Sequence, residues 1–235
     1  MDSYSYPEAV MREHKVAVLI PTRDRPDSFR RAVESIKVTS EADVLAYLDD
    51  DGLPYPEQYR ARFIKGPRIG PAKAWQKLAE EAMKVGYAAV ATLTDDSVIT
   101  TPGWDQWMLR QLRLGETRVQ AFRPVTNDEG AYRMDMPAVS REWIEAVGWF
   151  IHPEMKHYCW PSVIDAMSFH MCLTTALPHE FRIQHHQEGT DAKDFEEDSI
   201  NFYRWYVWHK DEARRSLATK IDAAFNQERA HTVAG

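Results

Sequence analysis

The sequence predicts an α/β fold, a largely parallel central sheet flanked by helices, on three observations. Short apolar runs recur at residues 15–20, 43–48 and 88–93. Between them, apolar residues repeat at helical spacing, as at Phe29, Ala32, Val33 and Ile36. The runs stop at polar loops, so strand and helix alternate through roughly the first hundred residues, the pattern of parallel strands joined by crossover helices.

Taken in order, "KVAVLI" is rich in β-branched residues and ends at Pro21, which suits a buried strand followed by a loop. Asp27 is placed to cap the first helix. "DVLAYL" is the second strand, stopping at Asp49, Asp50 and Asp51, and "RARFIKG" the third. Pro71 fits a first helical position, with Trp75, Leu78, Ala79 and Ala82 as the apolar stripe that follows. "AAVATL" is the fourth strand. "TTPGWDQWMLRQL" reads as a helix capped by Thr101 with Pro102 in its first turn. Beyond it the pattern is less regular: strands near 118–123 and 131–138, helices over 140–148 and 161–173, a strand at 180–184 and a helical tail from about Asp194. The last residues, 228–235, read as a frayed end.

A chain of 235 residues can bury one sizeable core, and no shift of composition divides it. The net charge of −7 argues against holding nucleic acid mainly through bulk electrostatics, leaving room only for a local basic groove. Two cysteines, Cys159 and Cys172, read as reduced thiols of an intracellular protein, and with no apolar leader and no run long enough to span a bilayer the expected location is the cytoplasm.

The chemistry gathers where strands stop. Open parallel sheets bind ligands beyond the carboxyl ends of their strands. The loops there read "PTRDR", "DDDG" and "TDDS". Asp95 and Asp96 are adjacent like charges at the end of an apolar run, which calls for a nearby cation, a divalent metal being one candidate. An arginine-bearing loop between two acidic loops suits a nucleoside diphosphate with its metal: carboxylates on base, ribose and cation, arginine on phosphate. Acidic residues after strands also cap helices or simply face solvent.

The segments "VAVLIPTRDRP", "YLDDDG", "GPRIGPAKAWQKLAEEA" and "LTDDSVITTPGWD", in that order, resemble the nucleotide-sugar half of family 2 glycosyltransferases of the GT-A fold, most nearly small members from phages and prophages. The resemblance covers residues 15–205. It implies an N-terminal extension at 1–14, a donor half at 15–115, an acceptor and catalytic half at 116–210 and a helical tail at 211–235. Thr22, Arg23 and Arg25 would line the nucleotide pocket. One or more of Asp49, Asp50 and Asp51 would meet base or ribose, and Arg68 and Lys73 would lie near base or diphosphate. Asp95 and Asp96 stand at the DXD position, departing from a literal D-x-D because Thr94 precedes and Ser97 follows them. Asp96 would be the ligand of Mn2+ or Mg2+, with Asp95 on sugar hydroxyls or on the ion through water. "HYCWPSVIDAMSF" places Asp165 as the base, though without the frequent Glu-Asp pair, and "FRIQHH" offers His185 or His186 to the metal. Trp160 beside Asp165 is nominated to stack on the acceptor, while Trp104, Trp107, Trp143 and Trp149 read as core.

Such an enzyme would move a sugar, with glucose nominated, from a UDP-sugar to an acceptor hydroxyl with inversion. The phage likeness raises a hydroxymethylated base in DNA as acceptor, beside saccharide or protein acceptors. A nucleotidyltransferase and a non-catalytic nucleotide-sugar-binding module are the rivals. The sequence leaves oligomeric state open.

Overall fold

Alternation along one strand explains how the molecule is layered. The computed structural model of the protein describes residues 14–56, 59–115, 117–126, 135–177, 181–186 and 195–233; residues 1–13 of the expected extension and 187–194 lie outside them. In β1 (Val16–Thr22), Val16, Val18 and Ile20 enter one apolar core while Ala17 and Leu19 enter another, because successive side chains of a strand face opposite ways. Each core is closed by helices. On the first face lie α1 (Pro26–Thr39), through Phe29, Val33 and Ile36, and α3 (Trp104–Leu114), through Trp104 and Met108. On the second lie α2 (Pro71–Val85), α4 (Arg141–Val147), α5 (Trp160–Ser168), α6 (Phe195–Trp208) and α7 (Lys210–Val233).

The remaining strands are β2 (Asp43–Asp49), β3 (Ala61–Gly66), β4 (Ala89–Thr92), β5 (Ser97–Ile99), β6 (Ala121–Arg123), β7 (Val125–Thr126), β8 (Ala138–Ser140), β9 (Thr174–Ala176) and β10 (Arg182–His185). The main sheet has the order β3-β2-β1-β4-β8-β6-β9. Every strand but β8 points the same way, since β8 is antiparallel to both β4 and β6. A smaller sheet has the order β5-β10-β7.

Several expectations meet different local structure. Pro21 does not end β1; it pairs in register with Tyr47. Alternation turns its missing N–H toward β4, whose ladder with β1 stops at Leu19, so no bond is lost. Asp27 lies inside the first turn of α1, with Arg25 at the cap position. Thr101 does not cap α3. Gly103, at φ 75°, takes that position in a left-handed conformation that glycine adopts without strain, and the Thr101 hydroxyl accepts from the Arg182 N–H at 3.1 Å. The strand expected at 131–138 begins only at Ala138, residues 131–134 lying outside the described chain. The tail is two helices broken at His209, anchored by Trp205 and Leu217, and its helix continues to Val233 rather than fraying from 228.

Trp160 is a core residue, not an acceptor platform. It is 2% exposed and packs on Trp75 and Phe150, with ring centroids 5.3 and 5.6 Å away. Trp104 and Trp143 are buried as expected. Replacing Trp160 by alanine is expected to lower unfolding free energy by about 3–5 kcal/mol, the range for emptying a packed aromatic site. Urea denaturation checks this; a loss below about 1 kcal/mol would contradict the packing.

Candidate active site

Parallel pairing brings the carboxyl ends of β1, β2, β4 and β6 to one edge of the sheet. After β4 the chain turns, with Ser97 N–H donating to Thr94 O at 3.1 Å and the two hydroxyls 2.6 Å apart, and this turn presents Asp95 and Asp96. The small sheet supplies the histidine. Antiparallel register places His185 opposite Ser97, the residue after Asp96. Its Nε2 lies 3.1 Å from Asp96 Oδ1. His186 donates its backbone N–H to the Asp96 carbonyl at 3.0 Å, and its side chain is exposed.

Both carboxylates are buried, at 7% and 6% exposure. Thr22 Oγ1 donates to Asp95 Oδ2 at 2.7 Å, and the Tyr55 hydroxyl, 2.8 Å from Thr22 Oγ1, accepts from Arg25 N–H at 3.0 Å. The resident cation is Arg25, whose Nη1 lies 3.5 Å from Asp95 and 3.5 Å from Asp96. Burial nevertheless pushes the Asp95 carboxyl from 3.8 up to about 6, with Thr22 and Arg25 pulling it down and Asp96 adding to the rise. A carboxyl raised on folding binds more protons folded than unfolded, so its contribution to stability falls as pH rises from about 4 to about 6. Between pH 4 and pH 7 the parent is therefore expected to lose on the order of 3 kcal/mol relative to Asp95→Asn, which cannot titrate. Denaturation of both proteins at the two pH values checks the sign; a parent that gains on the variant would contradict it.

Beside this cluster, Arg23 gathers the second acidic loop. Its Nη2 donates to Asp51 at 3.1 Å, and its Nε lies 3.3 Å from Asp24 and 3.9 Å from Asp49. Burial raises the Asp49 carboxyl against the pull of Arg23 and of Arg68. Asp24 Oδ1 accepts from Leu53 N–H at 2.8 Å, tying the β1 loop to the β2 loop. Asp50 and Arg68 are exposed, and Lys73 lines a separate cleft toward α6.

Asp165, on α5, ion-pairs with Arg123. Arg123 closes β6 and is two strand positions from β4, so the pair sits roughly 10 Å along the same sheet edge. Sequence reasoning missed Arg123, although a cation at a strand end just before Pro124 is the kind of signal that singled out the acidic loops. It also missed Tyr55, and Asp198, a fully buried carboxylate at the start of α6 that accepts the backbone N–H groups of Lys156, His157 and Tyr158.

Among the described residues no group of three or more His, Cys, Asp and Glu side chains is placed to hold an ion. Asp96 and His185 still fit a metal that shares its shell with substrate. Ligands at right angles, each about 2.1 Å from a Mg2+-sized ion, lie roughly 3 Å apart, and such ions keep several positions for phosphate oxygens and water. The Oδ1–Nε2 separation of 3.1 Å matches that spacing. No helix among the described residues is long and apolar enough to cross a membrane, and both cysteines are free.

The architecture is that of the GT-A glycosyltransferases. The chain is similar in structure to glucosyl-3-phosphoglycerate synthase of Mycobacterium tuberculosis, solved with Mn2+, UDP and phosphoglyceric acid, at 12% identity over 88% of this chain and 84% of that one, with a TM-score of 0.58. It is similar to residues 1–349 of S. aureus TarS with UDP, at 11% identity over 90% and 72% of the two chains and a TM-score of 0.59. A third likeness is GalNAc-T7 with UDP, GalNAc and Mn2+, at 13% identity over 73% of this chain and 43% of that one, with a TM-score of 0.56. At these identities the likeness is one of fold. No protein-family model and no curated protein sequence matches the chain.

Proposed function

We propose that the protein is a metal-dependent, inverting glycosyltransferase that moves a sugar from a UDP-sugar to an acceptor hydroxyl. The observation that carries this reading is the buried Asp95–Asp96 pair at the carboxyl edge of a GT-A sheet, with Arg25 between the carboxylates and His185 against Asp96. Asp96 and His185 would hold Mn2+ or Mg2+, which when bound acts as a Lewis acid toward charge building on the leaving diphosphate. Arg23 and Arg25 add fixed positive charge for the phosphates. Asp49, Asp50 and Asp51 accept hydrogen bonds from base or ribose, Arg68 lies toward base or diphosphate, and Asp95 accepts from sugar hydroxyls, whereas Lys73, expected beside the donor, faces the separate cleft.

An acceptor hydroxyl is a weak nucleophile at neutral pH, so a carboxylate must take its proton as it attacks. Asp165 serves as that base, and Arg123 orients it. Attack opposite the leaving diphosphate inverts the anomeric carbon. UDP in all three neighbours named above, and Mn2+ in two of them, support the donor and metal assignments, and the glucosyl product of the first supports glucose. None of the three is described with a DNA acceptor, so hydroxymethylated DNA enters as one arm of the acceptor screen.

The test is release of nucleoside diphosphate from a panel of nucleotide sugars with and without Mn2+. Metal-dependent release of UDP from one UDP-sugar, with an inverted anomeric configuration in the product, supports the reading. Release of pyrophosphate instead would mean nucleotidyl transfer, and donor binding without turnover across saccharide, phosphorylated sugar or polyol, protein and DNA acceptors would mean a binding module.

A further inference from the structure

A cleft of about 600 Å³ lies between the first turn of α2, residues 153–156 and one face of α6. Its volume falls in the range of roughly 300–1,000 Å³ typical of small-ligand sites. Its walls are fastened to one another. Ala72 N–H donates to Lys156 O at 3.2 Å, Asn201 Nδ2 to Glu154 O at 3.1 Å, and the buried Asp198 carboxylate holds the backbone of residues 156–158.

The lining is chemically divided. Lys73, Lys156 and Arg204 bring three cations to one cleft of a chain whose net charge is −7. Lys156 is paired with Glu197 at 2.6 Å, whereas Lys73 and Arg204 are exposed and have no carboxylate partner among the described residues. An ammonium and a guanidinium converging on one space suit a group carrying two negative charges, the guanidinium fork matching the oxygens of a phosphate. Glu154 and Glu197 would repel that group but can only accept hydrogen bonds when ionised, so they suit hydroxyl donors on the same ligand. The cleft also contains Trp208, 76% exposed while Trp104, Trp143, Trp160 and Trp205 are at most 2% exposed. An indole left in solvent beside polar groups offers an apolar face to the C–H surface of a sugar ring.

We propose that this cleft binds a phosphate monoester of a sugar or polyol, with Lys73 and Arg204 on the phosphate, Glu154 or Glu197 on hydroxyls and Trp208 against the carbon frame. Lys73 stands in the first turn of α2, which follows the carboxyl end of β3 in the same sheet, so on the glycosyltransferase reading, on which this role rests, the ligand is the acceptor. A polynucleotide is disfavoured because two carboxylates line the same space.

Calorimetry on the full chain, with glucose 6-phosphate, glucose, inorganic phosphate and a single-stranded DNA oligonucleotide as probes, tests the site in the parent, Arg204→Ala, Arg204→Lys and Trp208→Ala. Circular dichroism first confirms that each variant folds. Glucose 6-phosphate is expected to bind more tightly than glucose or phosphate, to weaken about tenfold in Arg204→Ala with partial recovery in Arg204→Lys, and to weaken severalfold in Trp208→Ala. No binding of glucose 6-phosphate, binding indifferent to both positions, or equal affinity for inorganic phosphate overturns the proposal. Oligonucleotide binding that alone depends on Arg204 and Trp208 overturns it in favour of nucleic acid. If a UDP-sugar is cleaved while glucose 6-phosphate fails to bind, the cleft proposal fails by itself. If glucose 6-phosphate binds as described and no nucleotide sugar is bound or cleaved, the site stands and the acceptor role falls.

Discussion

Asp96→Ala is expected to lower metal-dependent release of UDP from the donor by at least about a thousandfold. Lewis-acid stabilisation of a leaving group is worth several kcal/mol, and each 1.36 kcal/mol is a factor of ten in rate. Asp96 is the carboxylate beside which a second candidate ligand lies, since the β5–β10 register sets His185 Nε2 3.1 Å from its Oδ1. Two readouts check the result: UDP release at saturating donor and Mn2+, and Mn2+ affinity followed by electron paramagnetic resonance. His185→Ala should weaken Mn2+ binding in the same direction. Activity within tenfold of the parent in Asp96→Ala would remove the residue from the metal site.

Asp165→Asn is expected to reduce sugar transfer by about 10²–10⁴-fold, the usual worth of a positioned general base, while the KM for the donor stays near the parent value. The amide keeps the size of the carboxylate and an oxygen for Arg123 but cannot take the acceptor proton. Steady-state kinetics with a fixed acceptor separates the effects. A fall in kcat alone supports the base, whereas a rise in donor KM with unchanged kcat would place Asp165 in donor binding. Transfer within tenfold of the parent would mean that another group takes the proton.

Much of the fold was legible because hydrophobic period is a local signal. The runs at 15–20, 43–48 and 88–93 are strands, and Trp75, Leu78, Ala79 and Ala82 do share the buried face of one helix. Features set by backbone dihedrals or by distant pairing were harder to read. Gly103 displaces Thr101 from the cap of α3 because a left-handed residue turns the chain there. Pro21 stays within β1 because the neighbouring ladder has already ended, and no local rule reports the length of β4. Composition alone could not tell a buried indole from an exposed one, so Trp160, nominated to stack on the acceptor, is a core residue instead.

The acidic clusters of the site were visible as charges ending apolar runs. Which cation answers them was not. Arg25 reaches between Asp95 and Asp96 only because α1 begins beside the end of β4. The choice between His185 and His186 rested on strand register, where a slip of one residue turns every side chain to the other face. The pairing of His185 with Ser97 directs the His185 imidazole to Asp96 and leaves His186 only a backbone contact there. Arg123 escaped notice because its importance depends on α5 bringing Asp165 to the end of β6.

Calorimetric titration of UDP into the parent and into Asp96→Ala, each with and without Mn2+, tests the central claim most directly. The account predicts that Mn2+ tightens UDP binding to the parent by at least about tenfold and has little effect on the variant, as expected where diphosphate and carboxylate share one ion. UDP binding that is absent from the parent, or equally tight with and without Mn2+, would contradict the assignment of this strand edge to a nucleoside diphosphate and its metal.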